Sequence, residues 1–423
     1  METVDINKTS EIPIKNININ NNKIENNTKP KSELFNSLDK GESLDLKEKA
    51  ENFMISTIGK DNLISNNVYI ISLGITFIII SLLLFFISST FRNGRTISSL
   101  KTYHNYQTIK GFDFEKNGDT KLIDYQITSS FNSCNTKNKL FDYLHLDILK
   151  NILRSGARYI EVKIFNSEFG EDTSNTTVIP VINNGTNKGE WKLCFNSIPF
   201  EDFCIFLKKN AFQFLKIKDD GDFEGVPNPD DPLFLALDLK TNNNINVLNK
   251  INKILIKTLD KKFLKQINRN YREDKNHLIN MKMKDLKSKL VILSGDGFQG
   301  SELDKTINGY WGNKETDIPH KINRIFYDNI KDYDLDENKN LKDVFKKKIK
   351  NELTIIIPDK DEDKDGNINM NIFEPMNYNT KIALNLGCNF VSVYYQSVDN
   401  FMDDYITKFK EYSIIKKKYN FNI

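Results

Sequence analysis

The side chains that could do chemistry gather in a few short stretches of this chain. The first is Asp124-Tyr-Gln-Ile-Thr-Ser-Ser-Phe-Asn-Ser-Cys134, and the second is Ser155-Gly-Ala-Arg-Tyr-Ile-Glu-Val-Lys-Ile-Phe165. In the second, Glu161 and Lys163 stand two apart, so in a strand both face the same side. Asp238 adds a carboxylate in the strand-like run Leu235-Ala-Leu-Asp-Leu239. A third stretch, Asp361-Glu-Asp-Lys-Asp-Gly, has the spacing that opens a calcium loop, with Asp361, Asp363 and Asp365 as the would-be ligands. Its twelfth position is Ile372 where a bidentate glutamate is needed, and Pro358 opposes an entering helix, so a solvated acidic turn is the competing reading. The histidines His104, His145, His277 and His320 lack ligand-like spacing, which leaves no zinc site. Cys134, Cys194, Cys204 and Cys388 form no CxxC pair and read as reduced thiols filling small spaces.

These residues need elements to position them. Each of the first two stretches reads as a strand rich in β-branched and aromatic residues that runs into a polar turn. Between them, residues 140–153 place leucine and isoleucine on one helical face. Strand, helix, strand over some forty residues implies parallel pairing, with chemistry at the C-terminal strand ends. Further strands are expected at 177–183, 233–239, 290–294, 353–357 and 390–396, with 413–416 closing the sheet. Helical spacing recurs over 200–214 and 246–264. Residues 219–231 and 327–351 read as charged, loop-like insertions. Together these elements predict a distorted (β/α)₈ barrel over residues 119–423.

The two opening stretches resemble the X region of phosphoinositide-specific phospholipase C, and Leu386-Gly-Cys-Asn-Phe-Val-Ser-Val-Tyr-Tyr-Gln396 followed by Val398-Asp-Asn-Phe-Met-Asp403 resembles that family's closing segment. The resemblance implies a calcium-assisted barrel with two histidines that stabilise the transition state and protonate the leaving oxygen. It places Phe131 at the first histidine position and, within Pro180-Val-Ile-Asn-Asn-Gly185, Asn184 at the second. Phenyl and amide groups have no useful pKa, and each lost acid or base typically costs about 10²–10⁴-fold. The implied calcium ligands are Asn132, Glu161 and Asp238, while Lys163 stands where a further carboxylate belongs. We expect that ammonium to replace the metal and to pair with Glu161 and Asp238. A weak calcium site is the alternative, so the expected cofactor is none, or calcium if the ancestral site survives. Asn132, Arg158 and Lys163 are the expected binding residues. Where the family carries a Lys-x-Lys pair, the run Lys289 to Gly295 has Leu293 and Gly295. Arg324 loosely matches a family Ser-Arg-Ile-Tyr element and reads as solvated surface.

Composition bounds the partners. The chain has 423 residues, 60 basic against 57 acidic, for a net charge of +3, so no global field calls for nucleic acid. Residues 1–66 are polar and read as a disordered tail with a short amphipathic helix over 44–58. Val68 to Ser89 carries no charge; at 1.5 Å per residue it would span roughly 33 Å, which predicts a transmembrane helix over 67–90. Residues 91–118 then form a linker, and Arg92, Arg95, Lys101 and Lys110 place the barrel on the cytoplasmic side of a single-pass anchor. The leading reading is a membrane-anchored, catalytically degenerate relative of the phospholipases C, binding a phosphoinositide headgroup or acting as a scaffold. The alternative is an active phosphoric diester hydrolase in lipid metabolism, and enzymatic activity stays open between them.

Overall fold

The computed structural model describes residues 48–49, 52, 60–103, 108–138, 141–168, 178–185, 192–219, 222–264, 277–312, 322–333, 338–358 and 375–418. The chain divides into two units, Met1–Leu83 and Leu84–Ile423. The expected amphipathic helix over 44–58 and the calcium-like loop at Asp361, Asp363 and Asp365 lie almost wholly or wholly outside the described residues.

Helix α1 runs unbroken from Lys60 to Lys101. From Tyr69 to Phe85 every residue is exposed and none is charged. Among the described residues no helix is long and apolar enough to cross a membrane, and the transmembrane helix expected over 67–90 is not found among them.

The second unit is built on strands. In chain order they are β1 (Tyr125–Ser130), β2 (Tyr159–Asn166), β3 (Pro180–Asn183), β4 (Ile198–Pro199), β5 (Lys216–Ile217), β6 (Phe223–Glu224), β7 (Leu233–Lys240), β8 (Leu290–Ser294), β9 (Gly309–Tyr310), β10 (Asn323–Phe326), β11 (Thr354–Ile357), β12 (Phe390–Val393) and β13 (Ile414–Lys416). Eight of them form one path, β10-β11-β12-β1-β2-β7-β8-β9, with every neighbouring pair parallel. The two ends of the path meet where the Ile322 amide donates to the Tyr310 carbonyl at 2.7 Å. The result is a curled parallel sheet of TIM-barrel-like form.

Period-two alternation explains how the strands bury both faces. Tyr125, Ile127, Tyr159, Phe234, Ala236, Val291, Leu293, Ile355, Ile357 and Phe390 fill the inside of the curl as one cluster. Their neighbours Ile160, Val162, Leu235, Leu237 and Ile292 face outward, against apolar residues of the helices Leu146–Arg154, Phe200–Asn210 and Ile245–Phe263. Glu161 and Lys163 therefore follow Tyr159 toward the inside.

Several expected boundaries shift for local reasons. The first barrel helix was expected from residue 140 and begins at Leu146, because the His145 Nδ1 accepts the Asp147 amide at 3.1 Å and caps it there. The turn back into β2 uses Gly156 at φ +93°, where a Cβ would come within 2.8 Å of the Ser413 hydroxyl. β13 lies antiparallel on β1, Ile127 opposite Ile414, so it flanks the parallel ring and does not close it. The stretch 327–351, expected as a loop, contains a helix, Lys339–Ile349, that buries Phe345 and Ile349 among its many lysines.

One buried cation lies at the far side of this sheet. Lys417 is 5% exposed, and its Nζ donates to Asn389 Oδ1 at 3.2 Å. Burial lowers its ammonium from 10.5 to about 8, against the opposing pull of Cys388 and Asp124. Between those two values the unfolded chain holds a proton that the folded chain has released, so stability rises with pH. Denaturant melts of wild type and Lys417→Met should show their difference growing in favour of wild type from about pH 8 to pH 10.5. A flat difference would contradict the buried amine.

Candidate functional site

The inside-facing polar group nearest the middle of the curl is Glu161, which has no solvent exposure. Both of its oxygens are engaged. Oε1 accepts from the Arg324 Nη2, and Oε2 accepts the Tyr159 hydroxyl at 2.9 Å. Arg324 arrives from β10, and its guanidinium lies 5.3 Å from the centre of the Trp311 ring. Burial pushes the Glu161 carboxyl up, with Arg324 opposing; the Tyr159 phenol is raised well above its ordinary value by burial and then by Glu161. Burial alone would lower Arg324, but Glu161 and then Asp238 hold it above its ordinary value.

Asp238 follows on β7, in register with Lys163 of β2. It pairs with Lys240 at 3.0 Å. Burial would raise its carboxyl, yet Lys240, then Arg324 and Lys163 hold it below the ordinary range. The expectation that Lys163 takes the cation position is thus corrected at Glu161, where the longer guanidinium from across the sheet is the partner. Lys163, 6% exposed, bears on Asp238 through its charge. Two carboxylates here meet three cations. Asp296, just past β8, is taken by the Tyr310 hydroxyl.

These residues do not fit a calcium ion. Calcium wants roughly six to eight oxygens, while both Glu161 oxygens are engaged and Asp238 already carries an ammonium. A cation about 4 Å from Arg324 would be repelled by roughly 4 kcal/mol per unit of charge at an effective dielectric near 20. Among the described residues no group of three or more His, Cys, Asp or Glu side chains is placed to hold a metal.

The two expected acid–base positions are also buried. Phe131 is 4% exposed and meets the Tyr394 ring edge-on at 5.4 Å, within the apolar filling of the curl. Asn184 is 1% exposed; its Oδ1 accepts the Gly185 amide at 3.1 Å, and its own amide donates to Asn183 Oδ1 at 2.7 Å. Neither can deliver a proton at a reacting atom.

Residues 119–295 match the family model described as phosphatidylinositol-specific phospholipase C, X domain. Over those residues the chain is similar to the phosphatidylinositol-specific phospholipase C superfamily. Among solved structures it is similar to S. officinalis PLC21, at 17% identity and a TM-score of 0.52 over 72% of this chain and 38% of that one. L. pealei PLC21 gives 16% identity, a TM-score of 0.52 and the same coverage. The chain thus spans less than two-fifths of the length of these two structures, and at such identity the likeness shows the fold. No curated protein matches it.

Within this phospholipase-type barrel, the expected binding residue Arg158 is held by the scaffold. Arg158 is fully buried at the start of β2, away from the C-terminal strand ends. Its Nη1 donates to the Ala211 carbonyl at 3.1 Å and its Nη2 to Asn228 Oδ1 at 2.6 Å, with Asp231 nearby. Burial lowers it to about 10. The supposed loop 219–231 thus includes the residues that hold this arginine. Asn132 sits in the turn after β1 at φ +47°, a conformation asparagine tolerates. Its carbonyl accepts Gln396 Nε2 at 2.9 Å, while its Nδ2 has no hydrogen-bond partner.

Sequence reasoning missed Arg324, Tyr159 and Trp311. The signal for the first was the Asn-Arg-Ile-Phe likeness to a family element, set aside because one arginine in a four-residue match reads equally as solvated surface. Tyr159 was recoverable from spacing, since positions 159, 161 and 163 share a face.

Breaking one side of a buried pair typically costs about 3–5 kcal/mol. Arg324→Met should lose that order of stability in denaturant melts, and adding Glu161→Gln should restore part of it. Additive losses would contradict a direct pair.

Proposed function

We propose that this chain is a membrane-tethered phospholipase C-like binding module that holds a phosphorylated headgroup at the barrel mouth without cleaving it. One observation carries the reading: the carboxylate that a catalytic metal would need is neutralised by a guanidinium from within the chain. Three further features support it. Phe131 and Asn184 cannot act as acid or base. Lys163 and Lys240 stand beside Asp238 at the mouth, two ammonium groups that a headgroup phosphate would meet. The full charge-free run from Val68 to Ser89, longer than its described part, supports a single-pass anchor with the barrel on the cytoplasmic side. A phosphoinositide is the headgroup this family resemblance favours.

The test uses the full chain with mixed vesicles of phosphatidylcholine and phosphatidylinositol 4,5-bisphosphate, with and without calcium. The expected outcome is headgroup-dependent binding with no release of inositol phosphate in either condition. Lys163→Gln should weaken binding by about 5-fold or more, the effect of losing one charge-assisted contact. Calcium-dependent release that disappears in Glu161→Ala would instead establish a working phosphodiesterase.

A further inference from the structure

Within the second unit a line of contacts runs from α1 to the barrel mouth. From Leu84 onward, α1 lies against the barrel: Thr96 and Leu100 are buried, and the Tyr103 hydroxyl donates to Asp403 Oδ1 at 3.0 Å. Nearer its start the same segment grips one loop. Arg92 Nη1 lies 3.5 Å from Asp142 Oδ1, and Phe85 meets the Phe195 ring edge-on at 5.4 Å. Phe85 and Arg92 stand seven apart, so both come from one face of the helix. Asp142 is the sensitive part of this grip. Its side chain is 2% exposed, and Arg92 is the cation that pairs with it among the described residues. A buried carboxylate stripped of its counter-charge is strongly destabilising. Asp142 also shapes its own loop, since Oδ1 accepts the Tyr143 amide at 2.9 Å and Oδ2 the Asn138 amide at 3.0 Å.

That loop is tied in turn to the mouth. The Phe195 amide donates to the Asp142 carbonyl at 3.0 Å, the Phe141 amide to the Leu193 carbonyl at 2.8 Å, and the Leu193 amide to the Asn184 carbonyl at 2.8 Å. Asn183 fastens the same stretch: its Oδ1 accepts the Cys194 amide at 3.1 Å, and its Nδ2 donates to the Asn196 carbonyl at 2.8 Å. Asn183 then stands opposite Lys163 where β3 pairs with β2. From Arg92 to Lys163, each step is an ion pair, a hydrogen bond, a chain neighbour or a strand register.

We propose that residues 84–101 of α1 are a brace whose seating on Asp142 sets the affinity of the barrel mouth for its headgroup. The proposal rests on the headgroup reading above and adds a control to that same site. With Arg92 on Asp142, the 192–197 stretch is pinned, and Asn183 holds β3 against β2 at the level of Lys163. When α1 lifts, Asp142 stays buried but loses its counter-charge, the 141–145 and 192–197 stretches loosen, and the Lys163 ammonium loses its fixed position. Coupling of this kind is reciprocal, so a bound headgroup also holds α1 down.

The test takes the full chain in detergent micelles and reads amide hydrogen exchange together with binding of soluble inositol 1,4,5-trisphosphate. In Arg92→Gln, exchange over residues 141–145 and 192–197 should quicken by about tenfold or more, as for a buried pair broken on one side. Peptides from β8 should keep their wild-type protection, and Arg92→Lys, which retains the charge, should stay near wild type. Trisphosphate affinity should fall by about fivefold or more in Arg92→Gln. Saturating trisphosphate should slow exchange over residues 91–101 in the wild type and not in that variant. Unchanged exchange in Arg92→Gln, or quickened exchange with unchanged affinity, would overturn the brace. Should Arg92→Gln loosen β8 as well, Phe85→Ala, which keeps the ion pair, must quicken residues 192–197 and spare β8, or the brace is overturned. A wild type that binds no trisphosphate would contradict the headgroup reading, and the exchange arm alone then decides whether α1 braces the loop.

Discussion

The second unit depends on one electrostatic requirement: a carboxylate with no access to water must find a positive partner inside the sheet. Desolvating an unpaired Glu161 would cost several kcal/mol, and Arg324 meets that cost from β10, four places away along the sheet order. The pair therefore ties strands that are not neighbours, across the curl and not along it. Tyr159 closes the second oxygen and Trp311 backs the guanidinium, so the middle of the barrel is both charged and fully committed. What remains for a ligand is the outer ring of Lys163, Lys240 and Asp238.

This arrangement is the physical basis of the proposed loss of turnover. A phospholipase-type barrel needs an open carboxylate for a metal and imidazoles for proton transfer. In this chain the carboxylate has an internal counter-ion, and the first imidazole position is a phenyl ring packed against Tyr394. Phe131 adds apolar filling at the mouth in the same cluster as Tyr159 and Phe390. Phe131 and the Glu161–Arg324 pair agree physically, since each is satisfied by contacts within the protein itself.

Long, doubly buried strands such as β2, β7 and β8 could be read from the sequence because both their faces are apolar or pair-forming, leaving unbroken hydrophobic runs. The shared face of positions 161 and 163 followed from strand geometry alone. β9, only Gly309–Tyr310, and β10, Asn323–Phe326, were invisible because neither carries the apolar run that marked Thr354–Ile357. Arg324 was missed for that reason, and the partner of Glu161 was then assigned to the nearest lysine in sequence. The error is one of reach: register fixes which way a side chain points, but only tertiary closure decides which cation arrives from across the lumen. Lysine-rich residues 339–349 misled similarly, since charge on the exposed face hid the Phe345 and Ile349 anchors.

The central claim is that Arg324 has taken the position of a divalent cation at Glu161. Calcium titration calorimetry comparing the full-length wild type with Glu161→Gln tests it most directly, because the difference cancels any binding at the acidic 361–365 stretch. Identical isotherms are predicted. A calcium-binding heat present in the wild type and lost in Glu161→Gln would contradict the claim.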